Sequence, residues 1–85
     1  MSRTLPDESL DLTGVPCPAN SARTILRLEG MSSGSLLEVI LDNGEPVENV
    51  ISSMEGEGHE VMGKERLDQT RWKVLIRRSR AGEDG

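Results

Sequence analysis

The run Ser35-Leu36-Leu37-Glu38-Val39-Ile40-Leu41 constrains this chain most, because it is almost continuously aliphatic and rich in branched side chains. Gly34 precedes it and Asp42-Asn43-Gly44 follows it, so turn-forming residues bound it on both sides. An alternating strand is half wet, whereas one that is apolar nearly throughout is covered by helices. Residues 35–41 therefore read as a central strand of a sheet. The whole chain has 85 residues, enough for one domain. With no Phe, no Tyr and one Trp, its core has to be built from Leu, Ile, Val and Met.

Two helices are readable on either side of that strand. On a helical wheel begun at Pro18, Ala22, Ile25, Leu26 and Leu28 fall in one half, and Asn20, Arg23, Thr24 and Arg27 in the other. That pattern predicts about three turns ended by Gly30, with the first group facing the core. Val47, Val50, Ile51 and Met54 stand at i, i+3, i+4 and i+7, with Pro46 suited to the first turn and Gly56 and Gly58 to the end. Leu10 and Leu12 alternate with Ser9, Asp11 and Thr13, a short first strand ended by Gly14 and Pro16.

Residues 59–65 and 71–78 read as two more strands. Trp72, Val74 and Ile76 share one face of the last strand, while Lys73 and Arg77 share the other, where Leu75 keeps the polar face from being fully wet. Residues 66–70 connect the two without an Asn-Gly turn signal. The order predicts an α/β (α+β) two-layer sandwich, βαβαββ, with a four-stranded mixed sheet and two helices on one face. Residues 9–78 form the expected single domain, and the polar stretches 1–8 and 79–85 the expected flexible tails.

Fifteen acidic against ten basic side chains give a formal net charge of −5. That balance disfavours a phosphate backbone as partner, so no direct nucleic-acid binding is expected. One cysteine excludes an internal disulfide, and with one histidine it excludes the four-ligand Cys/His zinc patterns. Neither a metal nor a cofactor is expected. No stretch approaches the roughly 20 apolar residues of a membrane span, and residues 1–10 lack the pattern of a secretory leader. The expectation is a cytoplasmic protein with a reduced thiol, not bound to a membrane.

That thiol, Cys17, lies in Thr13-Gly14-Val15-Pro16-Cys17-Pro18, between the first strand and the first helix. Pro16 and Pro18 fix the local backbone, and Pro18 suits the first helical position, where a missing N–H costs nothing. A thiol there meets unpaired N–H groups and the positive end of the helix dipole, both of which favour the nucleophilic thiolate. Loops leaving the carboxyl ends of parallel strands are also where open α/β sheets gather ligands. Cys17 reads as readily as a small buried hydrophobe. Spacing alone does not choose between the two.

The stretch Leu10-Asp11-Leu12-Thr13-Gly14-Val15-Pro16-Cys17-Pro18 resembles the opening of the TusA/SirA-like family of small sulfur carriers, which typically read L-D-x-x-G-x-x-C-P-x-P. Asp42-Asn43-Gly44-Glu45-Pro46-Val47-Glu48-Asn49-Val50 resembles that family's strand-to-helix turn, and Gly58-His59-Glu60-Val61 its G-H-E step before the third strand. The resemblance spans about residues 9–78 and implies the βαβαββ sandwich. It also implies a sulfurtransferase-type carrier in which Cys17 takes a sulfane sulfur as a persulfide. The donor would be a cysteine desulfurase or a rhodanese-like protein. The sulfur would pass to an acceptor protein, in tRNA thiolation or other sulfur metabolism.

Gly14, Pro16, Pro18 and Asn20 are the motif positions around that cysteine. Asn20 departs from the family, standing where its second proline falls. Because first-turn N–H groups lack intrahelical partners, Asn20→Pro is expected to be accommodated. The rival reading on the same fold is a non-catalytic interaction or regulatory module in which Cys17 is incidental.

Other residues carry weaker signals. His59 reads as a strand-start residue before it reads as a general base. Asp42, Glu45 and Glu48 suit a helix N-terminus and lack EF-hand spacing. Met31, Met54 and Met62 read as core or rim filler, and Trp72 as core. Arg23 and Arg27, one turn apart on the first helix, are the candidate partner-docking residues. Arg71, Lys73, Arg77, Arg78 and Arg80 gather at the last strand, either to dock an acidic partner or to guard a charged sheet edge.

Overall fold

The computed structural model describes residues 6–16 and 18–78. Six elements follow in the order β1 (Glu8–Asp11), α1 (Ala19–Glu29), β2 (Leu36–Asp42), α2 (Glu45–Gly56), β3 (Glu60–Arg66) and β4 (Arg71–Arg77). The strands form one sheet in the order β1-β2-β4-β3. β1 runs parallel to β2, with Leu10 opposite Val39, while β4 is antiparallel to both β2 and β3. The aliphatic run is thus central, as its composition requires. Leu37, Val39 and Leu41 of β2 and Val74 and Ile76 of β4 face the helices and are buried. Val47, Val50 and Met54 of α2 and Leu28 of α1 close the core over them, with Leu12 and Met31.

α2 ends as its glycines suggest. Gly58 adopts φ +92°, its N–H donates to the Glu55 carbonyl at 3.1 Å, and the His59 N–H donates to that of Met54 at 3.0 Å. This is a Schellman closure, which needs a left-handed residue that glycine adopts without strain. The hairpin between β3 and β4 dispenses with Asn-Gly because Asp68 builds the turn. Its carboxylate accepts the N–H groups of Thr70 at 3.0 Å and Arg71 at 2.9 Å, and also the Arg71 guanidinium.

Four expectations are corrected. The first strand starts at Glu8, and Asp7 exchanges hydrogen bonds with Leu36 (N–H to carbonyl, and carboxylate from N–H, both 2.8 Å). Residues 7 and 8 therefore belong to the folded part, while 1–5 and 79–85 lie outside the described residues. The buried stripe of α1 is Asn20, Thr24 and Leu28, whereas Leu26 is 67% exposed. Leu26 and Leu28 stand two residues apart, about 160° around a helix, so they lie at opposite margins of the apolar half and a narrow buried stripe takes only one of them. β4 is an interior strand, so its cations guard no edge. Lys73 and Arg77 instead pair across to Glu65 at 3.5 Å and Glu60 at 3.9 Å on the edge strand β3. Finally, Met62, next to the β-bulge that shifts the β3 register, is 40% exposed and fills no core.

Candidate functional site

The connection from β1 to α1 is held at successive points. The ladder to β2 ends where the Leu12 N–H donates to the Ile40 carbonyl at 2.8 Å. Asp11 then accepts the Thr13 N–H at 2.9 Å and hydroxyl at 2.6 Å. Those two bonds hold the Asp11 carboxyl below the usual range, the hydroxyl contributing most. Gly14, at φ +82°, donates its N–H to Oδ2 of Asp42 at 2.7 Å. The Val15 N–H turns back to the Leu12 carbonyl at 3.0 Å. Helical bonding opens with the Asn20 N–H on the Pro16 carbonyl at 3.1 Å and the Ala22 N–H on that of Pro18 at 3.0 Å. Asn20 is fully buried, and its Oδ1 accepts the Ser21 N–H at 2.6 Å.

The first turn of α1 is therefore less open than its sequence suggests, since the N–H groups of Asn20, Ser21 and Ala22 already have partners. The positive end of the dipole remains, with no acidic residue in that turn. Cys17 lies outside the described residues. Beside Pro18, between α1 and α2, a hollow of about 340 Å³ is lined by Pro18, Ser21, Asn49 and Ser53. A larger one of about 480 Å³ lies along the later turns of α1 against β1 and brings Arg23 and Arg27 together with Leu26 and Leu10. There Arg27 pairs with Glu8 at 2.7 Å. Both partners are over 40% exposed, so the pair adds about 0–1 kcal/mol.

The other flagged residues are structural. Asn43 accepts the Trp72 indole N–H at 2.8 Å, while Lys64 and Arg66 lie 5.3 and 5.9 Å from the ring centroid. Glu45 and Glu48 sit in the first turn of α2, where acidic side chains complement the dipole. Arg78 donates to the Leu28 carbonyl at 2.6 Å and so caps α1. Among the described residues no group of three or more His, Cys, Asp or Glu is placed to hold a metal ion. No helix among them is long and apolar enough to cross a membrane.

Comparison with known proteins bears directly on this arrangement. The family described as sulfurtransferase TusA matches residues 8–78, from the first residue of β1 to the Arg78 cap. The chain belongs to the TusA family. A candidate sulfur carrier protein of Archaeoglobus fulgidus is 42% identical over 72 residues, covering 85% of this chain and 82% of its own. One from Thermotoga maritima is 31% identical over 70 residues, covering 82% and 89%. The candidate sulfur carrier YedF of Escherichia coli is 29% identical over 62 residues, covering 73% and 80%. The SirA-like protein of Desulfitobacterium hafniense superposes with a TM-score of 0.75 over 85% of this chain and 97% of that one, at 23% identity, and so shares the fold.

Within this TusA-family fold the structure brings Gly14, Pro16, Pro18 and Asn20 to one end of the molecule, and Arg23 and Arg27 to the neighbouring hollow. Sequence reasoning missed Asp42 as the partner of Gly14 and Ser21, Asn49 and Ser53 as neighbours of Pro18. The turn Asp42-Asn43-Gly44 was itself legible as a family motif. Its hydrogen bonds were not, because their partners lie 28 and 29 positions away.

Proposed function

We propose that this chain is a sulfur carrier whose Cys17 holds the transferred sulfur as a persulfide. One observation carries the reading. In sequence, the chain's one cysteine falls between Pro16 and Pro18, the two residues whose carbonyls accept the opening helical hydrogen bonds of α1. In the reaction, the Cys17 thiolate attacks the outer sulfur of a donor persulfide. The donor S–S bond breaks, and its inner sulfur leaves as a thiolate with the electron pair. The exchange needs no external oxidant. An acceptor thiolate then attacks the outer sulfur on Cys17 in the same way and frees the carrier. Donor and acceptor are both proteins in this reading, a cysteine desulfurase or rhodanese-like protein supplying the sulfur in the cytoplasm.

Intact mass tests it after incubation with a cysteine desulfurase and cysteine, or with thiosulfate and a rhodanese. The wild type gains about 32 Da, one sulfur atom, in a form that a thiol reductant removes, and Cys17→Ser gains nothing. A folded wild type that stays unmodified with both donors defeats the carrier reading and favours an interaction module.

A further inference from the structure

We infer that Asp42 is a positioning residue for sulfur transfer, acting through Gly14 and not on the sulfur. The inference rests on the carrier reading of Cys17. Beyond the Leu12 bond to Ile40, the β1–α1 connection leaves the ladder, and the tie that follows is the 2.7 Å hydrogen bond from the Gly14 N–H to Asp42 Oδ2. That bond joins residues 28 apart and anchors the connection to the end of the central strand. An ionised acceptor makes it roughly twice as strong as a neutral bond.

Gly14 contributes its backbone. It sits at φ +82° with its N–H on Asp42 Oδ2, a conformation that a residue with a Cβ adopts only under strain. Two residues separate Gly14 from Cys17, and among the described residues the backbone bonds around that stretch, Val15 to Leu12 and Asn20 to Pro16, are local. They shape the connection, whereas the Asp42 bond fixes it relative to the sheet. A displacement of about 1 Å at a reacting group can slow a reaction by about a hundredfold, so a tie three residues away has kinetic weight.

The test compares Asp42→Ala, which removes the acceptor, with Asp42→Asn, which keeps an oxygen for the Gly14 N–H but loses the charge. Ile76→Val serves as control, because it trims the core at the opposite end of β4 from Arg71, the partner of Asp42. At saturating donor, Asp42→Ala takes up sulfur about tenfold more slowly than wild type, and Asp42→Asn stays within about threefold. Ile76→Val takes up sulfur at the wild-type rate. Exchange of the Gly14 amide with solvent is slow in the wild type and in Asp42→Asn, and fast in Asp42→Ala. The inference is overturned if Asp42→Ala keeps the wild-type rate, if it slows no more than Ile76→Val, or if Asp42→Asn is as slow as Asp42→Ala. The last result would assign the effect to charge. A Gly14 amide that exchanges freely in the wild type also overturns it. If the wild type takes up no sulfur while its Gly14 amide is protected, the carrier reading fails and the tie itself stands.

Discussion

Asn20 shows how much one position can hide. Its polar side chain suggests a solvent-facing residue in a forgiving first turn, yet it is fully buried and its N–H donates to the Pro16 carbonyl at 3.1 Å. The expectation that proline fits there is therefore reversed. Asn20→Pro and Asn20→Ala both remove the side chain, but only proline also removes the N–H. In urea melts the proline variant should be the less stable of the two by about 1 kcal/mol or more, the net worth of a buried hydrogen bond. Equal stabilities would mean that the Pro16 bond contributes nothing. Thr24 hides in the same way, because its hydroxyl donates to the Asn20 carbonyl at 2.8 Å and leaves its methyl group free to pack.

At the scale of the element, α1 is where periodicity misleads. Its length and its end at Gly30 are legible, since local breakers set them. Its rotation is set by contact with the sheet, and Leu28 and Met31, both buried, take the core-facing stripe at the C-terminal end. Thr24 and Asn20 follow on that stripe one and two turns earlier, and Leu26 is turned to solvent. Leu28→Ala should therefore cost about 2–5 kcal/mol, while Leu26→Ser should change stability by no more than about 0.5 kcal/mol. Chemical denaturation of the two variants reads the rotation directly, and comparable losses would refute it. α2 offers no such ambiguity, because its apolar stripe is complete and Gly58 closes it in the one conformation that suits glycine.

Among the described residues, the basic side chains of the last two strands are mostly paired and not massed. Lys64 of β3 and Arg71, Lys73 and Arg77 of β4 each have an acidic partner within 4 Å, so among the described residues β4 presents no unpaired basic face. Stability should nonetheless depend on pH through His59, half-buried where α2 meets β3. Its pKa lies below the usual 6.5, first because burial disfavours the imidazolium and then because Arg78 repels it, against the opposing pull of Glu57 and Glu29. The unfolded chain consequently takes up this proton at a higher pH than the folded one. The His59 contribution is complete above pH 6.5 and is lost as the pH falls through the lower, folded value. Urea midpoints measured from pH 7 to about 5 should fall for the wild type and flatten in His59→Gln. A second decline is expected in acid. Asp68 is held at about 2, first by its hydrogen bond from Arg71, so its contribution is present above 3.8 and is lost as the pH falls through about 2.

The sequence by itself determined the order of the six elements, the central place of the aliphatic strand, the composition of the core and the family, together with the cysteine on which the proposed chemistry rests. These are readable because they are local: a period of two or of 3.6, a glycine at a helix end, or a motif of consecutive residues. Only the tertiary structure decided the rotation of α1, the interior place of β4 and the bonds that tie the loops to the sheet. Gly14 to Asp42, Trp72 to Asn43 and Arg78 to Leu28 join residues 28, 29 and 50 positions apart. Such a bond leaves no trace in the spacing of either partner's neighbours. It exists only once the sheet has brought both ends within hydrogen-bonding distance.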